Sequence, residues 1–220
     1  MTPTRLPDPI GVYAILDAGV MPPADLPAAA AACAASGVRV FQVRAKDLAA
    51  GAFVRLAIAI REALPADALL IVNDRADVAL ASGADGVHVG DGDLAPADVR
   101  AILPPGSVVG FSTHSLAEVE AAAALPCDYV GFGPVFCSTT KRTGRREHGV
   151  KGLSAACAAS TRPVVAIGGI AVAQVRALRA AGASGVAMIS GLLVPGRVAE
   201  QAAAAVGQAA AVEEARCPAR

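Results

Sequence analysis

Aromatic side chains are scarce in this chain, lysine and asparagine are scarcer, and net charge is absent. Only 3% of the residues are aromatic, which does not disfavour a core filled by branched aliphatics of the kind that pack barrel interiors. With 19 basic and 19 acidic residues the formal charge is zero, so bulk electrostatics points to neither nucleic acid nor a membrane surface. No segment has the uninterrupted apolar length of a membrane span: the Ala-rich stretch 198–215 is broken by Glu200, Gln201, Gln208, Glu213 and Glu214. Residues 1–9 carry three prolines and no apolar core, which does not read as a signal peptide. Five cysteines, an odd number without paired metal-type spacing, imply a reduced cytoplasmic protein. Cys33, Cys127 and Cys157 sit among apolar neighbours and read as small core residues, whereas Cys137 falls beside a candidate site.

What is present is a large apolar fraction. Of 220 residues 55% are hydrophobic, enough for one sizeable core and one domain. The most informative stretch is 69–93, where the same message is written twice. Leu69-Leu70-Ile71-Val72 breaks into Asn73-Asp74-Arg75, and Val87-His88-Val89 breaks into Gly90-Asp91-Gly92-Asp93. Segment 76–82 between them has helical composition, so the whole is a β-α-β unit. Neighbouring parallel strands lie about 4.8 Å apart, which lets Asp74 and Asp93 share one ion at the same end of a sheet.

Extending this reading gives strands at 11–16, 38–43, 69–72, 87–89, 108–111, 129–135, 163–167 and 185–189. Helices fall between and after them at 28–35, 52–64, 76–82, 96–103, 115–125, 153–159, 172–181 and 198–215. The fifth helix opens on Ser115-Leu116-Ala117-Glu118, the pattern of a capping box, and Gly182 stops the seventh. Eight strands at a spacing of roughly 25 residues predict a single (β/α)8 TIM barrel over 11–215, with a flexible arm at 1–10 and a tail at 216–220. The competing doubly wound sheet lacks its Gly-x-Gly-x-x-Gly after the first strand.

Chemistry in such barrels collects at the C-terminal ends of the strands. Those ends hold Arg44 and Lys46, Asn73 and Asp74, Asp93, Ser112 and His114, Lys141, Gly168-Gly169 and Ser190-Gly191. Sixteen of the 19 basic residues are arginine, so Lys46 and Lys141 at two strand exits stand out as places for a compact ammonium. Asn73 is the one asparagine. Plainer readings exist for each: Asp74 and Asp93 as caps of the helices that follow, Gly168-Gly169 as a tight turn, Ser190 as a cap, Ser112 as a partner of His114. His88, in mid-strand, reads as a satisfied core histidine. The Arg142-Arg145-Arg146 cluster reads as a solvated loop or a lid over an anion. Their shared location favours a phosphate-bearing substrate, with loop N–H groups after strands seven and eight for one phosphate. Asp74 and Asp93 suit Mg²⁺, which takes one or two carboxylates and completes its shell with water and phosphate oxygens.

The sequence resembles the thiamine-phosphate synthase family from Tyr13 to about Leu193. The resemblance is carried by Gln42-Val43-Arg44-Ala45-Lys46, Val72-Asn73-Asp74-Arg75, His88-Val89-Gly90 with Asp93, and Ser112-Thr113-His114. Gly131-Phe132-Gly133-Pro134-Val135-Phe136 leading to Thr140-Lys141, then Ala166-Ile167-Gly168-Gly169-Ile170 and Ile189-Ser190, complete it. It implies an Mg²⁺-dependent enzyme that joins hydroxymethylpyrimidine diphosphate to thiazole phosphate and releases pyrophosphate. By that resemblance Gln42 orients the aminopyrimidine, and Arg44, Lys46, Asn73 and Lys141 hold the diphosphate. Asp74 and Asp93 hold Mg²⁺, and Ser112 bonds at the reacting end. Ser138, Thr140, Gly169, Ile189 and Ser190 take the thiazole phosphate. The implied partners are these small molecules, with no nucleic acid and no membrane; a homo-oligomer is left open. The chain departs from the family pattern at Asp91, where a glutamine is usual, and at Cys137-Ser138-Thr139-Thr140-Lys141. Two other readings stay open: a thiazole tautomerase, with His114 as its acid–base group, and a binding barrel that has lost catalysis.

Overall fold

In a computed structural model the described residues are 6–137 and 146–216. They form eight parallel strands closed into a barrel in chain order, β1 Gly11–Asp17, β2 Val40–Arg44, β3 Leu69–Asn73, β4 Gly86–Val89, β5 Val108–Thr113, β6 Tyr129–Phe132, β7 Val164–Ile167 and β8 Gly185–Met188. Around them lie α1 Leu26–Ala35, α2 Ala50–Ala63, α3 Ala76–Ser82, α4 Pro96–Ile102, α5 Leu116–Ala121, α6 Gly149–Ala159, α7 Val175–Ala180 and α8 Val198–Arg216. The (β/α)8 architecture expected from the alternating pattern is the one observed.

Side chains alternate across each strand, so every strand feeds two cores. The outward row, including Leu16, Phe41, Val43, Leu70, Val72, Val109, Val130 and Met188, packs against the helices. Those helices present small residues, such as Ala29, Ala30, Cys33, Ala202 and Ala205, which lets them sit close to the sheet. The inward row forms a second cluster from Ile10, Tyr13, Ile15, Val40, Leu69, Ile71, Val108, Tyr129, Val165 and Ala187, with Leu6 of the N-terminal segment packed against it. Cys33 and Cys127 are buried and Cys157 is half-buried, all as free thiols.

Where the chain departs from expectation, backbone chemistry gives the reason. The sixth strand ends at Phe132 rather than continuing to residue 135, because Pro134 has no N–H to give to a ladder. Pairing resumes beyond it, with Val135 N–H donating to Ile167 O at 2.9 Å and Phe136 N–H to Gly168 O at 3.0 Å. The sixth helix starts four residues early, at Gly149, where the amides of His148 and Gly149 bond Pro134 O and Val135 O. Ser115 caps α5 as the sequence indicates, its Oγ accepting the Glu118 N–H at 3.2 Å.

At the opposite end from the strand exits, one device is used twice. Asp85 Oδ2 accepts the Leu70 N–H at 2.8 Å and faces Arg61 at 3.2 Å, while Asp128 Oδ2 accepts the Val109 N–H at 2.7 Å and faces Arg100 at 2.6 Å. Each acid thus ties a strand entrance to the neighbouring strand and to a helix. Charge-assisted bonds to a mostly buried carboxylate contribute about 1.5–3 kcal/mol. Asp128→Ala is expected to lower unfolding stability by about 2–3 kcal/mol, read from the urea midpoint at unchanged slope; a loss below about 0.5 kcal/mol would show that the tie is ornamental.

Candidate active site

The inward row changes character along the barrel: apolar at the strand entrances, polar toward the exits. A cavity of about 90 Å³ opens where the change occurs. One wall is apolar, from Ile15, Val165, Ile167, Ala187 and Ile189. The other is polar, from Asp17, Gln42, Arg44, Asn73, His88, Ser112 and the phenols of Tyr13 and Tyr129. A slot with one greasy and one hydrogen-bonding side suits a flat heteroaromatic ring.

The polar wall is a connected chain. Gln42 Nε2 donates to Tyr13 OH at 3.0 Å, Tyr13 OH meets Tyr129 OH at 2.9 Å, and Tyr129 OH meets His88 Nδ1 at 3.0 Å. His88 Nε2 lies 2.9 Å from Ser112 Oγ. Burial raises the pKa of both phenols well above the ordinary tyrosine value, so they stay protonated. Gly110 makes room for the crossing, since a Cβ there would run into the Tyr129 ring and His88 Nδ1. The mid-strand histidine is therefore satisfied, as the sequence suggested, but it lines the cavity instead of the outer core. Ser112 turns to His88 and not to His114. His114 donates from Nδ1 to Gly133 O at 2.7 Å and is not among the cavity residues.

Asp17 escaped sequence reading as a functional candidate. Only 1% exposed, it accepts the Gly19 N–H on Oδ1 at 2.8 Å and Arg44 NH1 on Oδ2 at 2.6 Å. Arg44 is thereby held against the cavity with most of its five donors left over. The available signal was periodicity: counting by two along β1 from Tyr13 reaches Asp17 on the inner face.

Directly beyond Asn73, Asp74 adopts φ +63°, in the left-handed region that few non-glycine residues occupy. Its N–H donates to His88 O at 2.8 Å, and Arg75 N–H returns to Asn73 O at 2.8 Å, so a tight turn aims the carboxylate. Neither acid serves as the helix cap that was the plainer alternative: α3 and α4 have no side-chain N-cap bond. Asp93 Oδ2 instead accepts the Gly90 N–H at 2.8 Å, and Lys46 Nζ stands 3.5 Å from Asp74 Oδ2. Burial, followed by the charge and hydrogen bond of Asp93, raises the Asp74 pKa above the usual carboxylate range, with Lys46 opposing. Two facing carboxylates, one of them half-buried, form a donor set that a small divalent cation relieves. Among the described residues no third Asp, Glu, His or Cys joins them. Asp91 is exposed and does not join the pair in a three-ligand group.

After β7 and β8 the loops are shaped by close approach. Gly168 and Gly169 have φ +102° and +60°, and a Cβ on either would strike Pro134 or the Cys137 carbonyl. These glycines therefore do more than turn the chain: they let the loop after β7 lie against the one after β6. No helix begins at Ser190, which lies exposed in a turn beside the half-buried Ile189, so it caps nothing. Ser138, Thr140 and Lys141 of the candidate set, with Arg142 and Arg145, lie outside the described residues. Cys137 is an exposed thiol.

An acid whose folded pKa is raised stabilises the fold when protonated, and that contribution is lost as pH rises through the raised value. Above that value the charged Asp74, half-buried and facing Asp93, opposes folding in metal-free protein. Asp74→Asn is therefore expected to raise the metal-free melting temperature at neutral pH, with the gain vanishing below about pH 4, where unperturbed aspartate protonates. A lower or unchanged melting temperature at pH 7 would refute the repulsion.

A family model described as thiamine monophosphate synthase matches residues 12–192. A curated thiamine-phosphate synthase of Anaeromyxobacter dehalogenans is 42% identical over 91% of this chain and 87% of its own length. One from Methanoculleus marisnigri is 46% identical over 75% of this chain and 79% of its own. The solved thiamine phosphate pyrophosphorylase of Pyrococcus furiosus superposes with a TM-score of 0.83 at 30% identity, covering 93% of this chain and 98% of that one. Similarity of that extent, in sequence and in fold, shows that the chain belongs to the thiamine monophosphate synthase family.

Proposed function

We propose that the cavity and the acid pair above it carry the family reaction in this chain. 4-Amino-2-methyl-5-hydroxymethylpyrimidine diphosphate condenses with 4-methyl-5-(2-phosphoethyl)thiazole to thiamine phosphate, with pyrophosphate released and Mg²⁺ required. The observation that carries the site assignment is convergence: Gln42, Arg44, Asn73, Ser112 and Ile189 come from four different strand ends and line one cavity. Lys46, Asp74 and Asp93 stand at its β2, β3 and β4 exits.

In this reading the pyrimidine ring lies between the apolar wall and the Gln42–Ser112 wall, its diphosphate pointing to the strand exits. Arg44, fixed by Asp17, meets the diphosphate with Lys46 and Asn73, and Lys141 adds a further charge. Asp74 and Asp93 hold Mg²⁺, which when bound supplies charge neutralisation to the diphosphate oxygens. Pyrophosphate leaves first, and the thiazole nitrogen captures the resulting pyrimidine-methyl cation. The demand on the protein is thus to stabilise charge on a leaving group, which pre-placed cations do without reorganising. No strong base is needed, in keeping with a His114 tied to a backbone carbonyl. The thiazole phosphate takes Gly169, Ile189 and Ser190, with Ser138 and Thr140. No helix among the described residues is long and apolar enough to cross a membrane. A cytoplasmic location is part of the proposal, supported by the four free thiols among those residues.

The coupled assay with both substrates, with and without EDTA, tests this: pyrophosphate is expected only with thiazole phosphate and Mg²⁺ together. Asp93→Ala is expected to lower kcat at least about 100-fold with an unchanged far-UV spectrum. It should also abolish the rise in melting temperature that Mg²⁺ gives the parent protein. Near-parental turnover would remove the metal assignment. Because Asp91 is exposed and does not join the acid pair in a three-ligand group, Asp91→Gln is expected to change kcat/KM by less than about threefold, a surface-scale effect.

A further inference from the structure

Gln42 and Ser112 sit at the two ends of the hydrogen-bonded chain through Tyr13, Tyr129 and His88, and the amide at its head gives the first link a direction. Gln42 Nε2 can only donate, so Tyr13 OH accepts from it, at 3.0 Å, and directs its own proton to Tyr129 OH. Tyr129, having accepted, donates to His88 Nδ1. A neutral imidazole that accepts on Nδ1 carries its proton on Nε2, and that N–H donates to Ser112 Oγ. Two consequences reach the cavity. Gln42 offers its carbonyl Oε1 to the ligand, and Ser112, already accepting from His88, offers its O–H.

We propose that Tyr13, Tyr129 and His88 are positioning residues whose one-way hydrogen-bond chain fixes Gln42 as acceptor and Ser112 as donor, making the slot selective for an aminopyrimidine over its 4-oxo counterpart. A 4-aminopyrimidine brings an amine donor and a ring-nitrogen acceptor, complementary to that pair. The 4-oxo ring brings a carbonyl acceptor and a ring N–H donor, which oppose it. Uncoupled, an amide would flip to suit either ring; coupled across the barrel, the Gln42 amide does not flip unless the whole chain reverses, and Ser112, with one lone pair taken by His88, turns its O–H to the ligand. The high phenol pKa values keep both tyrosines as the donor-plus-acceptor links the chain requires. Gly110, which leaves space for Tyr129 and His88 to meet, belongs to the same device. The selectivity part rests on the reading that the pyrimidine ring lies against Gln42 and Ser112; the chain itself does not.

The test reads the chain without substrate. With three histidines in the protein, ¹⁵N-histidine labelling resolves each ring, and His88 is assigned by its loss in His88→Gln. At about pH 8, where imidazole is neutral, His88 is expected as the Nε2–H tautomer. Gln42→Glu puts an acceptor at the head of the chain, reverses every link and shifts His88 to the Nδ1–H tautomer. In Tyr129→Phe, or Tyr13→Phe as a second break, the same change at position 42 leaves the His88 tautomer where it was. An Nδ1–H tautomer in the parent protein, or a His88 spectrum indifferent to Gln42→Glu, overturns the proposal. The second measurement is kcat/KM for the amino and 4-oxo pyrimidine diphosphates. Their ratio is expected to fall at least about tenfold in Tyr129→Phe, the worth of one oriented hydrogen bond. An unchanged ratio beside the expected tautomer shifts overturns the selectivity and, with it, the placement of the ring, while leaving the chain standing.

Discussion

Everything at the mouth of this barrel depends on the period of two along its strands. Closure of eight parallel strands fixes which alternate residues face in, and a one-residue slip would exchange the inner and outer rows entirely. On β2 that row is Val40, Gln42, Arg44; on β1 it is Tyr13, Ile15, Asp17; on β4 it ends at His88. Each run goes from apolar to polar in the same direction. The same alternation that buries Val40 and Leu69 at one end delivers Gln42 and Asn73 to the cavity at the other. Packing and chemistry are therefore two ends of one pattern.

The entrances and exits of the strands divide the charged residues by role. At the entrances Asp85 and Asp128 are fully engaged by backbone N–H groups and arginines. At the exits Asp74 and Asp93 face each other with only Lys46 and one amide in support, and the Asp74 turn takes up a left-handed backbone. Satisfied acids hold the fold, and the under-satisfied ones are those to which the proposed function assigns the cation. Residues held away from their local optimum are what binding and catalysis draw on. Asp17 bridges the two classes: buried and satisfied, it spends its bond on aiming Arg44.

Much of this was legible in sequence because it is local. The helix 76–82 and the cap at Ser115 agree with the structure to the residue, since composition and side-chain-to-amide bonding act over a few positions. The strand-end clusters were visible because apolar runs stop abruptly. Tyr13, Tyr129 and Asp17 were not singled out as site residues, and His88 was read as a core histidine, not as part of a cavity wall. Each lies in or at the end of an apolar run, and its partners on other strands are separated by 24 to 116 residues along the chain, as in His88–Ser112 and Tyr13–Tyr129. The over-long sixth strand has a different cause: composition carries the apolar pattern through Val135, but a proline ends the ladder first.

The sequence by itself determined the number and order of the elements, the barrel, the family and the set of polar strand ends. Those follow from periodicity and composition, which any segment carries with it. Only the tertiary structure decided which of those polar groups meet: that Ser112 pairs with His88 and leaves His114 to Gly133, that the two acids oppose each other, and that Asp91 does not join them in a three-ligand group. Such pairings depend on register and on the close approach allowed at Gly110, Gly168 and Gly169. Distances across a closed barrel are fixed by all eight strands together, and no single stretch of chain contains them.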